Sequence, residues 1–261
     1  MKPHPIEWCD LTKNPFHGCQ HGCPYCYARD TAERLSHIPN SGHYWHLREA
    51  GFDFFKPVFD KEKLEKMVAQ FSRSRTSKVI FLGSMGDIGG NFDYLVPTPE
   101  PTYIGAFSVR NAVRKATEKM GKHTVVMLTK NPTGLQSEKW PDNVCLGVSV
   151  TSSRDAINRV PRLMEVECGS RCVSVEPLFD EELDPSLLRG VDWVKVGAVT
   201  GDMRKLGISQ GIVQAAKRIV EWGKSEDVPV FIKANLREVA PDVDWPMERL
   251  RRSQCSLLKS Y

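Results

Sequence analysis

Val79-Ile80-Phe81-Leu82-Gly83-Ser84-Met85-Gly86-Asp87 reads as a short β-rich run that stops on a small-residue turn carrying a hydroxyl and a carboxylate. β-Branched and aromatic residues suit a pleated surface, and glycine marks where such a run ends. The pattern recurs downstream. Residues 124–128 end in Thr129-Lys130-Asn131-Pro132, 144–150 in Thr151-Ser152-Ser153, 172–175 in Glu176-Pro177 and 193–199 in Thr200-Gly201-Asp202, and 228–233 ends at Lys233. Helix-like stretches over 104–120, 154–166 and 209–222 separate these runs, and Leu64, Met67, Val68 and Phe71 recur at helical spacing upstream. Pro161 interrupts the second stretch and predicts a kink or a division there. With a short strand over 6–11, about seven strands alternate with helices, as in βα units around a parallel sheet.

No linker or internal repeat divides the 261 residues, of which 41% are hydrophobic. The expected fold is therefore α/β, a partial (β/α) TIM-like barrel of about six to seven mostly parallel strands in one domain over 1–261. Residues 37–60 read as an insertion and 91–103 as a Pro-rich connection. Such barrels gather functional residues at the carboxyl ends of their strands. Those ends carry Ser84, Asp87, Thr129, Lys130, Ser149, Thr151, Glu176, Thr200 and Lys233.

The net charge is +4, and the excess collects in a basic tail over 247–261, with Arg249, Arg251, Arg252 and Lys259. A solvated tail is the preferred reading of it over a nucleic-acid arm. The first residues are polar and contain two prolines, without the charged, apolar and cleavage regions of a signal peptide. The chain holds no long apolar run, so the expected location is cytoplasmic, with no membrane partner. Eight cysteines in a reducing compartment favour metal or redox chemistry over disulfides.

Three of those cysteines lie close together in the loop 14–26, as Cys19-Gln20-His21-Gly22-Cys23-Pro24-Tyr25-Cys26. Thiolates are the usual protein ligands of iron–sulfur clusters. Three of them, without a fourth cysteine nearby, leave one coordination position open. A structural zinc site closes with four ligands, which His17 or His21 would have to complete. Gly18 and Gly22 give the backbone freedom to wrap a bulky inorganic core.

The C-x3-C-x2-C spacing, with an aromatic residue before the last cysteine, resembles the signature of the radical S-adenosylmethionine (SAM) superfamily, matched here by Cys19, Cys23, Tyr25 and Cys26. The resemblance implies a partial barrel, a 4Fe-4S cluster on the three cysteines and SAM on the fourth iron. It also implies an external flavodoxin- or ferredoxin-like electron donor. The reaction implied is reductive cleavage of SAM to methionine and a 5′-deoxyadenosyl radical that abstracts hydrogen from a substrate.

Further stretches resemble a poorly characterised phage and prokaryotic group of radical SAM-like proteins. They are Ile6-Glu7-Trp8, Asn14-Pro15, Gly18-Cys19, Cys26-Tyr27-Ala28, Gly83-Ser84-Met85-Gly86-Asp87, Gly147-Val148-Ser149-Val150, Ser174-Val175-Glu176-Pro177-Leu178 and Phe231-Ile232-Lys233. The chain departs from that group where a Gly-Gly-Glu-Ser-Gly-like segment is expected, carrying Gly197-Ala198-Val199-Thr200-Gly201 without the acid.

The resemblance suggests roles for particular residues. Asp87 would accept a hydrogen bond from the SAM ammonium, beside Ser84 and small residues that permit close approach. Ser149 and Thr151 would reach the ribose or carboxylate. Tyr25 corresponds to a position whose backbone meets the adenine. Glu176 would bind SAM or substrate, or pair with Lys233 or Lys195. Lys130 and Lys233 are candidates for an anionic substrate, which together with the basic tail admits a nucleotide or nucleic acid. Cys145, Cys168 and Cys172 raise a second metal site against the simpler expectation of buried core thiols. The rival function is a non-catalytic iron–sulfur or zinc protein that binds nucleic acid.

Overall fold

The computed structural model describes residues 6–98, 102–199 and 208–251. In chain order the elements begin with β1 (Leu11–Lys13), β2 (Phe16–His17), α1 (Tyr27–Ser36), α2 (His43–Glu49), β3 (Val58–Phe59) and α3 (Lys61–Ser72). Next come β4 (Val79–Leu82), β5 (Tyr94–Val96), β6 (Thr102–Ile104), α4 (Ala106–Glu118), β7 (Thr124–Thr129) and β8 (Val144–Val150). The chain continues through α5 (Ser153–Met164), β9 (Ser170–Val175), β10 (Trp193–Val196), α6 (Gln210–Ser225), β11 (Val230–Ile232) and α7 (Ala234–Arg237).

Seven strands pair in the order β1-β4-β7-β8-β9-β10-β11, and each of these pairings is parallel. Among the described residues the two edge strands do not pair with each other, so the sheet is a half-barrel. Side chains alternate across each strand, and the two faces differ in kind. Ile80, Leu82, Val125, Met127, Leu146, Val148, Val173 and Val194 face the helices α3 to α6 in the main core. Phe81, Val126, Cys145, Cys172, Trp193 and Phe231 face the concave side, where Trp8 joins them.

That concave layer is a packed floor. Register places Gly147 of β8 opposite Cys172 of β9. A Cβ built on Gly147 would lie 2.4 Å from Cys172 Sγ and 2.8 Å from the Cys172 carbonyl oxygen. Lys195 projects into the same layer with 0% exposure. Its ammonium donates to Cys172 Sγ at 3.1 Å and lies 4.2 Å from the Trp193 ring centroid and 4.8 Å from that of Trp8. Burial would raise the Cys172 thiol, but a hydrogen bond from Cys145 and the Lys195 ammonium pull it below the ordinary value.

Several expectations need correction. The strand expected over 6–11 begins only at Leu11, because the segment before it turns inward and sinks Trp8 into the floor. Glu7 then accepts hydrogen bonds from the Ala234 amide and Arg237, tying this segment to α7. The insertion 37–60 contains α2 and β3, and the connection 91–103 contains β5 and part of β6. With β2 these form a second, four-stranded sheet in the order β2-β3-β5-β6. Short strands of two or three residues leave little periodicity to read. Pro161 does not divide α5, which runs from Ser153 to Met164 with the proline inside it, at the loss of that residue's own backbone hydrogen bond. The strand expected over 193–199 stops at Val196, and Thr200 and Gly201 lie outside the described residues.

Gly147→Ala is expected to cost about 1–3 kcal/mol, because backbone and not only a flexible side chain blocks the new methyl group. Gly121→Ala, where the nearest atom is 3.5 Å away, should stay within about 0.5 kcal/mol. Urea unfolding of both variants measures the contrast, and equal stabilities would contradict this packing.

Candidate functional site

A cavity of about 330 Å³ opens at the carboxyl ends of the central strands. Cys19, Cys23 and Cys26 line one wall. Ser149, Ser174, Glu176 and Lys233 line another, and Trp8, Phe81 and Leu128 come up from the apolar floor. The polar wall follows from the same two-residue alternation as the floor. Cys145, Gly147 and Ser149 share one face of β8, and Cys172, Ser174 and Glu176 continue one face along β9. Ser149 and Ser174 are register partners.

The cysteine loop is held at both ends. Gly18 has φ +82° and bridges Gly86, with its amide donating to the Met85 carbonyl at 2.9 Å. A Cβ there would fall 2.2 Å from the Lys56 carbonyl oxygen, so glycine is required for both conformation and space. The Cys19 amide donates to the Phe55 carbonyl at 3.2 Å, which gives the insertion a purpose as a buttress for the loop. At the other end Cys26 caps α1, its sulfur accepting from the Arg29 amide at 3.4 Å. A helix N-terminus favours a thiolate.

Burial pushes the Cys19 thiol up to about 12; the His21 amide offsets this in part, while Asp87, Cys26 and Cys23 add to the rise. A thiolate at Cys19 therefore needs a cationic partner. Among the described residues no group of three or more His, Cys, Asp or Glu side chains is placed to hold a single metal ion. The three thiols border a common cavity instead of closing on one point. Thiols are the donors an iron–sulfur cluster takes, and the cavity they border leaves free volume beside them.

Neither histidine completes a zinc site. His17 stacks on His43 with ring centroids 5.1 Å apart, and it does not line the cavity. His21 turns to Asp87, with Nε2 2.8 Å from Oδ2. Cys145, Cys168 and Cys172 do not gather into a second metal group either. Cys168 donates to the Ser170 carbonyl, and Cys172 belongs to Lys195.

Asp87 borders the cavity and is engaged by protein donors. It is 4% exposed, and protein donors already occupy both carboxylate oxygens. Oδ1 accepts from the Gly89 amide at 2.9 Å and the Thr129 hydroxyl at 2.5 Å, while Oδ2 accepts from His21 and from the Lys130 amide at 2.8 Å. These bonds fill the places an ammonium would use. A Cβ on Gly83 would strike the Phe16 ring at 2.2 Å, so this glycine makes room for protein, while its backbone and that of Gly86 also line the cavity. Ser84 lines the cavity with its hydroxyl given to Asn14 Oδ1 at 3.2 Å. Thr151 is absent from the lining, because its hydroxyl and amide both go to Asp155 Oδ2.

The remaining candidates do meet in the cavity. Tyr25 lies at the rim, its ring 5.3 Å from that of Phe179 and the Lys130 ammonium 5.4 Å from its centroid. Lys233 donates to Glu176, which also accepts from Ser174 at 3.4 Å. Sequence reasoning missed Ser174 and Trp8, as well as His21 in any role but zinc ligation. Ser174 was legible from its two-residue offset to Glu176, whereas the partner of His21 lies 66 positions away. Of the basic tail, Arg249 pairs with Asp10, and Arg251 with Asp227 and Glu248.

The fold and the site thus define a half-barrel protein with a three-cysteine pocket. The chain belongs to the family described as Protein of unknown function (DUF5131), whose model matches residues 4–234. No curated protein matches the sequence. Among solved structures, a variant of spore photoproduct lyase superposes with a TM-score of 0.48 at 12% identity, over 88% of this chain and 75% of that one. A second variant, with a dinucleoside spore photoproduct, gives 0.42 at 13% identity, over 89% and 61%. Similarity at this level bears on neither activity nor substrate. No described helix is long and apolar enough to cross a membrane.

Burial alone would raise the Asp87 carboxyl, but the His21 contact, the Thr129 hydroxyl and the Lys130 amide hold it below the ordinary value of 3.8. A depressed pKa contributes stability that is complete above 3.8 and is lost as pH falls through the folded value. Asp87→Asn should therefore destabilise the protein at neutral pH by about 1.5–3 kcal/mol and lessen the fall in stability below pH 4. Urea titrations across that range measure it, and an unchanged acid limb would contradict the assignment.

Proposed function

We propose that this protein is a radical SAM enzyme, with Cys19, Cys23 and Cys26 as ligands of a 4Fe-4S cluster. One observation carries the reading: three thiols from a single buttressed loop border one cavity at the carboxyl end of a parallel half-barrel, which polar groups from the strand ends also line. When bound, the cluster supplies one electron to SAM, releasing methionine and a 5′-deoxyadenosyl radical.

The protein's own residues orient and enclose. The thiol wall holds the cluster, and the α1 N-terminus stabilises negative charge at Cys26. Ser149 and Glu176 are the proposed SAM contacts on the opposite wall, with Ser84 and the backbone of Tyr25 beside the loop. The apolar floor under them excludes water from a reactive intermediate. Lys130 at the rim is a candidate for an anionic substrate, and Lys233 becomes available to one only by leaving Glu176. A nucleotide or nucleic acid suits those charges. The electron comes from an external flavodoxin- or ferredoxin-like donor.

Against the rival zinc reading, His17 does not line the cavity and His21 Nε2 is held by Asp87. Against an extended nucleic-acid surface stands the pairing of Arg249 and Arg251 with local carboxylates.

Anaerobic reconstitution with iron and sulfide, followed by SAM and a strong reductant, should yield 5′-deoxyadenosine. Cys23→Ala should lose the cluster and that product together. A wild-type protein that retains zinc and takes up no iron–sulfur cluster would overturn the reading.

A further inference from the structure

Asp87 lies beneath the cysteine loop, outside the proposed ligand set, yet its hydrogen bonds reach into that loop. Its partner His21 is the residue midway between Cys19 and Cys23. The same residue's backbone amide donates to Cys19 Sγ at 3.4 Å. One residue thus has its side chain fixed by a buried carboxylate and its backbone turned toward a proposed ligand sulfur. The carboxylate is in turn fixed by the Gly89 amide, the Thr129 hydroxyl and the Lys130 amide, from the turn after β4 and the end of β7. An ionised carboxylate only accepts, so His21 Nε2 must carry the proton in this contact.

We infer that Asp87 and His21 are a positioning pair: Asp87 sets the His21 ring, and through it the conformation of residues 19–23 and the N–H···S bond to Cys19. Hydrogen bonds to ligand sulfurs are one lever on cluster potential, and partners behind the ligands fix their orientation. This inference rests on the proposed function for its effect on a cluster, but its effect on the loop stands apart from any cluster. Side-chain chemistry separates the variants. Asp87→Asn would turn an amide N–H₂ toward two of the four donors, whereas His21→Gln leaves a side chain that can still donate to the carboxylate.

The test compares Asp87→Asn, His21→Ala and His21→Gln with the parent, using hydrogen exchange of the amides of residues 19–23 in the cluster-free full chain. His21→Ala, at a side chain 28% exposed, spares the buried carboxylate and serves if Asp87→Asn folds poorly. Exchange should quicken roughly ten-fold in His21→Ala, the scale of one charge-assisted hydrogen bond, and His21→Gln should restore most of the protection. Unchanged exchange in His21→Ala would overturn the inference, whether or not a cluster forms. In reconstituted protein, His21→Ala should keep its iron complement and shift the cluster midpoint potential, with His21→Gln returning toward the parent. Parent-like potential in His21→Ala would overturn the tuning role, and failure of the parent itself to take up a cluster would count against the proposed function alone.

Discussion

A single buried carboxylate joins the parts of this molecule that must meet for a site to exist. Asp87 stands just past β4, and its four hydrogen bonds come from its own turn, from the end of β7 and from the cysteine loop. Removing an ionised carboxylate from water costs several kcal/mol unless its oxygens are satisfied. The arrangement is therefore strongly specified: the strand ends and the loop must arrive together for the charge to be tolerated. Phe16, packed under Gly83, and the Gly18–Gly86 bridge close the same junction by shape. The insertion completes it by offering the Phe55 carbonyl to Cys19.

Below this junction the half-barrel is solid. Trp8, Phe81, Trp193 and Phe231 fill the concave side, and Lys195 is buried among them against Cys172. A buried ammonium of this kind survives because a polarised thiol and two aromatic faces share its charge. The floor sets the depth of the cavity, and apart from Lys195 the polar groups of the concave face come further along each strand. Ser149, Ser174, Glu176 and Lys233 stand where the strands rise above it.

The half-barrel was legible because its strands are apolar runs ending on Gly, Pro and polar residues, a pattern that survives without partners. The three cysteines were legible because their spacing is local. What escaped was set by long-range contacts. The second sheet is built from strands of two or three residues with no periodicity of their own. The strand-end position of Asp87 is readable, and its four donors are not. Trp8 looked like part of a strand, although its ring belongs to the floor, where Phe81 lies 4.7 Å away by ring centroid. Glu176 sits against Lys233 and leaves Lys195 to Cys172, a choice fixed by their heights along the strands.

The proposal that the loop carries a cluster with one open iron is tested most directly by Mössbauer spectroscopy of protein reconstituted with enriched iron, recorded with and without SAM. The account predicts that one iron of each cluster is distinct from its neighbours and changes its spectrum when SAM is added. A spectrum that SAM leaves unaltered at every iron, or one from a mononuclear thiolate site, would contradict it.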